Sequence, residues 1–461
     1  MCKIPCGARA ILSRLNAAGF EAYLVGGCVR DLLRGIEPND WDICTDALPE
    51  EVERCFAQQR IVETGLRHGT VTIFVQGEGY EVTTYRTDGT YSDGRRPDFV
   101  SFVCDLTQDL ARRDFTMNAI AMGLNGALCD PFGGQADIRA RVVRCVGVPE
   151  RRFREDGLRV MRALRFASSL GYAIAPETAQ AVHAQRDMLR CVAPERIRVE
   201  LCKLLTGQNA GQILRAYTDV LCVFWPELAC MQGVQQRNPW HLYDVFEHTV
   251  RAVEHAPFDE ALRLTLLLHD IGKPQCMTVD AAGIGHFYGH PEKSAAMADA
   301  MLRRLKFDNA TREQVVELIG CHDAELSPAP RTVRRWLARL GPERFFQLLQ
   351  VQRADCMAQH PEKVQARLEA LQRVARYAQT CIDTGACLSL RDLAVGGRDV
   401  LALGISGPAV GTVLRELLDR VIDGALPNDR QALLREAVRI TTGGPDAHAQ
   451  TVDEGGRPHD R

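Results

Sequence analysis

The sequence predicts an α+β chain, with a small mixed sheet at the front and helices for the remainder. Two observations carry this. Up to about Cys145, β-branched and aromatic runs such as VTIFV, EVTTYR and FVSFV alternate with turns and short helical stretches, the pattern of a sheet with helices packed on it. From about Val146, Leu, Met, Ala and Phe recur at helical spacing, as in RVMRALRFASSL and RIRVELCKLL, with few β-branched runs. The expected units are a head over 1–145, a helical neck over 146–225, a further helical domain over 239–360 and a helical C-terminal region over 361–440. A tail over 441–461, polar and rich in Gly and Pro, is expected to be disordered.

At 461 residues and 46% hydrophobic, the chain is long enough for two or three compact cores. No apolar run approaches the length of a membrane span, and the N-terminal MCKIPCGARAILSRLNAAGF reads as an amphipathic helix without a secretory signal. A cytoplasmic protein with no membrane partner is the expectation. Seventeen cysteines without a CxxC pair argue against a zinc ribbon or disulfide framework and for reduced thiols used as small core residues. The net charge of −3 does not itself point to nucleic acid, but it is unevenly spread. From Arg139 to Lys203 fourteen Arg or Lys face seven Asp or Glu, leaving +7 there and −10 elsewhere. That segment is a candidate footprint for RNA phosphates. The competing reading is an Arg-rich composition filling solvated helix faces, since only six of 56 basic residues are Lys.

The stretch YLVGGCVRDLLRGIEPNDWDICTDA carries the first chemistry. If NDWDICT is a strand, Asp40 and Asp42 point to one side while Trp41 and Ile43 point into a core. Two adjacent carboxylates repel unless a cation lies between them, and oxygen-only ligands suit Mg²⁺ together with substrate phosphates. Gly26 and Gly27 follow an apolar strand-like run, so their backbone can approach a triphosphate closely, with the next helix N-terminus and Arg30 adding positive potential. DxD alone would more often be an acidic turn; the preceding glycines favour the site. Glu81, opening EVTTYR, is the candidate third carboxylate, against a plain solvated strand residue. In a two-metal arrangement one ion activates the attacking 3′ hydroxyl and the other steadies the leaving pyrophosphate.

EDGLRVMRALRF offers a way to choose a base without a template. On a helix Asp156 and Arg159 are neighbours, and Arg162 continues that side with some drift. The carboxylate can accept from the exocyclic amine of cytosine or adenine while a guanidinium donates to the ring acceptor beside it. Guanine and uracil would present a carbonyl to the carboxylate and leave polar groups unpaired, at roughly 1–3 kcal/mol each. The competing reading is an ordinary intrahelical ion pair.

LVGGCVRDLL and NDWDICT, followed in order by TGLRHGTVT, EVTTYR, RRPDFV, ARRDFTMNAIAM, DPFGG and REDGLRVMRALRFA, resemble the class II tRNA nucleotidyltransferases, the CCA-adding enzymes, and their bacterial poly(A) polymerase relatives. The match runs over most of the chain. It implies a nucleotidyltransferase head, tRNA as partner, CTP and ATP as substrates, and Mg²⁺ on Asp40 and Asp42. It also places Arg113 of ARRDFTMNA on the nucleotide, and makes Asp156, Arg159, Arg162 and Arg165 nucleotide-binding positions. TDGTYSDGRR, Thr87 to Arg96, matches in place a flexible loop that the family links to addition of the final A. The rivals within the family are a poly(A) polymerase, using ATP alone, and specialists adding only A or only CC. VGGRDVLALGISGPAVGTVLRELLDRVIDGALPNDRQALLREA resembles the C-terminal segment that helps hold the tRNA body, although plain packing reads equally well.

Seven of the twelve histidines fall between His241 and His322, one of them in LLLHDIGKP. A His–Asp pair ending an apolar helix, with another His about twenty residues earlier, resembles the HD phosphohydrolase superfamily. The resemblance implies His248, His269 and Asp270 as ligands, and by order alone His290, His322 and Asp355. Such a set suits Mn²⁺, Fe²⁺ or Ni²⁺, can hold two ions, and would direct a bridging hydroxide at a phosphoester, with Lys273 as a phosphate contact. An HD phosphohydrolase with an RNA-binding head is therefore the rival from another class. The competing reading is a helical scaffold with a vestigial metal site.

Overall fold

The computed structural model describes residues 4–65, 69–89 and 99–442, in two compact units. The first comprises 1–238 and 243–316, the second 239–242 and 317–461.

In the first unit, seven strands form one mixed sheet: β1 (Ala22–Val25), β2 (Asp42–Thr45), β3 (Arg60–Gly65), β4 (Thr70–Val75), β5 (Glu78–Thr84), and, after a separate pair β6 (Arg86–Asp88) and β7 (Val100–Phe102), β8 (Ala121–Met122) and β9 (Leu128–Cys129). The order is β3-β4-β5-β2-β1-β8-β9, and β2 runs parallel to β5 while the other neighbours are antiparallel. The expected mixed sheet is present. β2 is buried on both faces from Ile43 to Thr45, alternation along β5 buries Val82, and the helix Cys6–Ala17 closes one region of the core with Ile11, Leu12 and Leu15 fully buried. Val25, Cys44, Tyr85, Leu110, Ala119 and Ala121 form a continuous apolar cluster.

The strand reading of NDWDICT was too long. β2 begins at Asp42 because the register Leu24↔Ile43 sets Asp42 opposite the end of β1, and the chain turns at Gly26 just beyond; Asp40 and Trp41 lie before the strand, and Trp41 is half-buried instead of part of the core. The cysteine expectation holds for Cys28, Cys44, Cys145 and Cys202, whereas Cys6, Cys104, Cys191 and Cys230 are exposed; all the described cysteines are free thiols.

Beyond the sheet the first unit is helical, through Pro149–Glu155, Leu158–Leu170, Pro194–Leu205, Val245–His255, Glu260–Leu268 and His290–Arg304. Two-residue ladders interrupt this, Val142–Val143 with Ala173–Ile174 and Thr278–Val279 with Gly285–His286, too short to leave a period in the sequence. Trp225 is fully buried and donates its indole N–H to the Met301 carbonyl at 3.0 Å. The second unit packs the helices Pro330–Met357 and Pro361–Asp383, and Gly397–Ala402, Pro408–Ile422 and Arg430–Thr442 around Val400, Leu417, Leu433 and Ala437. Pro330–Met357 kinks at Gly341, whose φ of 74° precedes Pro342. Among the described residues no helix is long and apolar enough to cross a membrane. Most of the Thr87–Arg96 loop and all but the first two residues of the tail lie outside the described residues.

Candidate active site

β1 leads straight into Gly26, whose φ of 81° and ψ of −132° only glycine adopts without strain, and the helix Gly27–Leu33 starts at once. The antiparallel register Leu24↔Ile43 brings this turn to the start of β2, where Asp42 stands. A Cβ on Gly26 would lie 3.1 Å from Nη1 of Arg113 and 3.6 Å from Oδ2 of Asp42, so turn, cation and carboxylate converge. In the parallel neighbour, Glu81 is the direct register partner of Asp42. Asp40, Asp42 and Glu81 are all solvent-exposed. The Asp42 carboxyl is nonetheless raised above its ordinary range, chiefly by surrounding protein that displaces water; Arg113 opposes this, and Glu81 and Asp40 add to it. Glu81 and Asp40 thus both act on Asp42, and carboxylate oxygens are the donor type that suits a divalent cation such as Mg²⁺. Gly26→Ala is expected to lower nucleotide incorporation about tenfold and to destabilise the fold by about 1 kcal/mol through the positive φ. Steady-state kinetics and thermal denaturation of the variant check this.

Arg30 is held by its neighbours. Its Nε and Nη2 meet the two oxygens of Asp31 at 3.0 and 2.8 Å, and Nη1 donates to Asn118 Oδ1 at 2.9 Å. Its Nη2 lies 3.7 Å from where a Cβ on Gly27 would stand, so the second glycine leaves the guanidinium room beside the turn. Arg113 pairs with the fully buried Asp109 at 3.5 Å, and Arg112 meets the same carboxylate at 2.9 Å. Its sequence neighbour Asp114 turns instead to Arg162, accepting from Nε at 2.7 Å.

The expectation that Asp156 and Arg159 share one helix does not hold. The helix Pro149–Glu155 ends at Asp156, which is extended (φ −142°, ψ 108°), and the next begins at Leu158. Gly157 permits the break: the Met188 carbonyl packs only 2.6 Å from where its Cβ would be. Asp156 accepts from the Leu158 N–H at 3.0 Å and from Arg196 at 2.8 and 3.3 Å. Arg159 reaches Glu155 at 2.7 Å and the carbonyls of Arg152 and Arg112 at 3.1 and 2.9 Å. Arg165 pairs with Glu200 at 2.8 Å and lies 3.5 Å over the Phe166 ring. Each candidate is thus held in place by a third residue, and not by the other candidates. Asp109, Asn118, Arg196 and Glu200 were missed, although PERIRVE sets Arg196 and Glu200 four apart on one helix face.

Comparison with known proteins identifies the framework. The Poly A polymerase head domain matches residues 22–144, the RNA and SrmB-binding site of polymerase A matches 171–230, and tRNA nucleotidyltransferase domain 2 matches 289–437. A CCA-adding enzyme of Levilactobacillus brevis is 37% identical over 431 residues, spanning 93% of this chain and 96% of the relative. The chain belongs to the CCA-adding enzymes. Within that family, the crystal structure of the Bacillus stearothermophilus CCA-adding enzyme in complex with CTP matches with a TM-score of 0.72 at 30% identity, over 95% of this chain and 97% of that one. The Thermotoga maritima CCA-adding enzyme complexed with tRNA shares the fold, with a TM-score of 0.59 at 19% identity over 94% of each chain.

This member of the CCA-adding family carries a second cluster in its first unit. The Nε2 atoms of His248, His269 and His290 stand 3.5, 3.2 and 3.4 Å from the Asp270 carboxylate, all four side chains being buried. Nδ1 of His269 donates to the Leu266 carbonyl at 2.7 Å and Nδ1 of His290 to that of Phe287 at 2.8 Å. A ring that donates through Nδ1 presents Nε2 as a lone pair, the form that ligates a metal. Lys273 reaches Asp270 at 2.7 Å and Gln236 at 2.9 Å. Within this cluster, the ligand atoms of His248, His269 and Asp270 lie within 4.8 Å of one another, a buried set of two imidazoles and a carboxylate that fits a transition-metal ion. His322 and Asp355 belong to the second unit: His322 donates through Nδ1 to the Ile319 carbonyl at 2.6 Å, and Asp355 accepts from Gln359 at 3.2 Å.

Proposed function

We infer that this protein builds or repairs the 3′ CCA end of tRNA from CTP and ATP without a template, releasing pyrophosphate. The register pair Asp42 and Glu81, with Asp40 beside them and the Gly26 turn in front, is the observation that carries the catalytic assignment. These carboxylates would hold Mg²⁺, which when bound supplies activation of the attacking 3′ hydroxyl and charge neutralisation at the leaving phosphates. Gly26 and Gly27 let backbone approach the triphosphate, and Arg30 and Arg113 supply its positive surroundings. Asp156, oriented by Arg196 and the Leu158 N–H, offers a fixed carboxylate to the exocyclic amine of C or A, and Arg159, Arg162 and Arg165 on the adjoining helix are the donors to the nucleotide. The scatter of cysteines without paired spacing fits work in the cytoplasm.

The test is incorporation of labelled CTP, ATP, GTP and UTP into three tRNA transcripts ending at the discriminator base, at C and at CC. Addition of C, C and then A to the shortest transcript, with G and U refused, is the expected result. Addition of A to the CC end alone would make the protein an A-adding specialist, and long A tails on unrelated RNA a poly(A) polymerase.

The buried His–Asp cluster supports a second, independent activity. We further propose that His248, His269 and Asp270, with His290 beside Asp270, bind a transition metal such as Mn²⁺, Fe²⁺ or Ni²⁺, and that a phosphoester is hydrolysed there, with Lys273 contacting the phosphate. After chelation, titration calorimetry with Mn²⁺ or Ni²⁺ is expected to show saturable binding that His269→Ala weakens about a hundredfold while CCA addition persists. Absence of binding by the wild-type protein would leave the cluster as scaffold.

A further inference from the structure

The buried Asn118 closes a chain of hydrogen bonds that joins the two ends of the nucleotide site. Its Oδ1 accepts from Nη1 of Arg30 at 2.9 Å, and its Nδ2 donates to Oδ1 of Asp114 at 3.2 Å. The other oxygen of Asp114 takes Nε of Arg162 at 2.7 Å and Nη2 at 2.6 Å. The orientation of the amide is dictated by its partners, since a guanidinium only donates and a carboxylate that binds Arg162 accepts. Asn118 ends the turn Thr116–Asn118 and is 6% exposed, so neither arm is readily replaced by water. Around the adjacent Phe166 ring, the guanidinium carbons of Arg30 and Arg162 each stand 5.3 Å from the centroid. With Arg165 at 3.5 Å, three guanidinium groups surround this ring, and the Asn118–Asp114 pair joins two of them, Arg30 and Arg162, by hydrogen bonds.

We propose that Asn118 is a positioning residue that couples Arg30, at the triphosphate, to Arg162, at the base. The guanidinium that reads the base is aligned through the one that meets the phosphates, so correct triphosphate seating and base choice are linked. This rests on the reading of Arg30 and Arg162 given above. Aspartate at this position would keep an acceptor for Arg30 but set a carboxylate against Asp114, and alanine would release both arms.

The test is a double-mutant cycle of Arg30→Lys and Arg162→Lys, read as kcat/KM for CTP on a tRNA transcript lacking CCA, in the wild-type and Asn118→Ala backgrounds. In the wild type the two effects are expected to deviate from additivity by about tenfold, and in Asn118→Ala to multiply within about twofold. The preference for CTP over UTP is expected to fall in Asn118→Ala, a change that loss of packing alone would not produce. Asn118→Asp, isosteric with the native residue, is the second variant and is expected to lose the coupling too. Additivity in the wild type, or coupling that survives both substitutions at 118, overturns the proposal. If neither arginine substitution alters kcat/KM for CTP, the assignment of the two arginines fails first, which the single variants reveal.

Discussion

Asp42→Ala is expected to lower CCA addition by three orders of magnitude or more, the equivalent of about 4 kcal/mol of transition-state stabilisation, with the fold intact. Both halves follow from where the residue sits. Asp42 shares a register position with Glu81 on the neighbouring parallel strand and stands in front of the Gly26 turn, so its loss removes a central donor of the carboxylate group. The side chain is exposed, and its carboxyl is raised by displaced water and by Glu81 and Asp40, with Arg113 opposing. A carboxyl whose pKa is higher in the fold than in the unfolded chain ionises less readily there, so its charged form detracts from stability at neutral pH. Removing it should leave the melting temperature unchanged or slightly higher. Single-turnover incorporation measured beside thermal denaturation checks the pair of outcomes. A loss below tenfold would mean that the carboxylate holds no catalytic ion.

Asp114→Ala is expected to have the largest effect on stability, a loss of about 3 kcal/mol, together with about a tenfold rise in KM for CTP. Asp114 is buried and accepts from Arg162, from Asn118 and from the Phe115 N–H at 2.8 Å. Truncation leaves Arg162 without its closest anion, though Arg162 retains partial access to water and a longer contact to Glu200 at 3.8 Å, which moderates the cost. Burial alone would raise the Asp114 carboxyl, but Arg162, Arg159 and the hydrogen bond from Asn118 outweigh it and hold the group at about 2, below the ordinary 3.8. A depressed carboxyl contributes stability that is complete above its unfolded pKa and disappears as pH falls through the folded value. The wild type should therefore lose on the order of 2 kcal/mol from this group between about pH 4 and pH 2, and Asp114→Asn should not. Urea denaturation across that range checks the difference.

The head was legible in sequence because its chemistry is local. Gly26, Gly27 and the start of β2 lie within a short stretch, and strand periodicity exposes both Asp42 and Glu81 at the surface of a mixed sheet. Asp40 was placed in the right neighbourhood for the wrong reason, since it lies before the strand and not within it. The neck was less legible. Helical spacing predicted an Asp156–Arg159 pair, but Gly157 fits beneath the Met188 carbonyl and breaks the helix between them, a packing fact between residues about thirty apart. The partners that hold these candidate residues, Arg196 for Asp156, Asp114 for Arg162 and Glu200 for Arg165, are likewise tertiary. Periodicity cannot reveal such pairs. In the His–Asp cluster, the resemblance to HD proteins pointed to His248, His269 and Asp270, and resemblance with order along the chain to His290; only the Nδ1–H bonds of His269 and His290, to carbonyls three residues earlier, are local.

The central claim is that one nucleotide site, floored by Asp42 and Glu81 and read by Asp156 and the arginines of the helix Leu158–Leu170, serves both C and A. It is tested most directly by crystals of the protein soaked with CTP or ATP and Mn²⁺, using anomalous scattering to locate the metal. The expected result is metal at Asp40 and Asp42 for both nucleotides, with the exocyclic amine of either base on the Asp156 carboxylate. Metal found only at His248, His269 and Asp270, or CTP and ATP bound in different places, would contradict it.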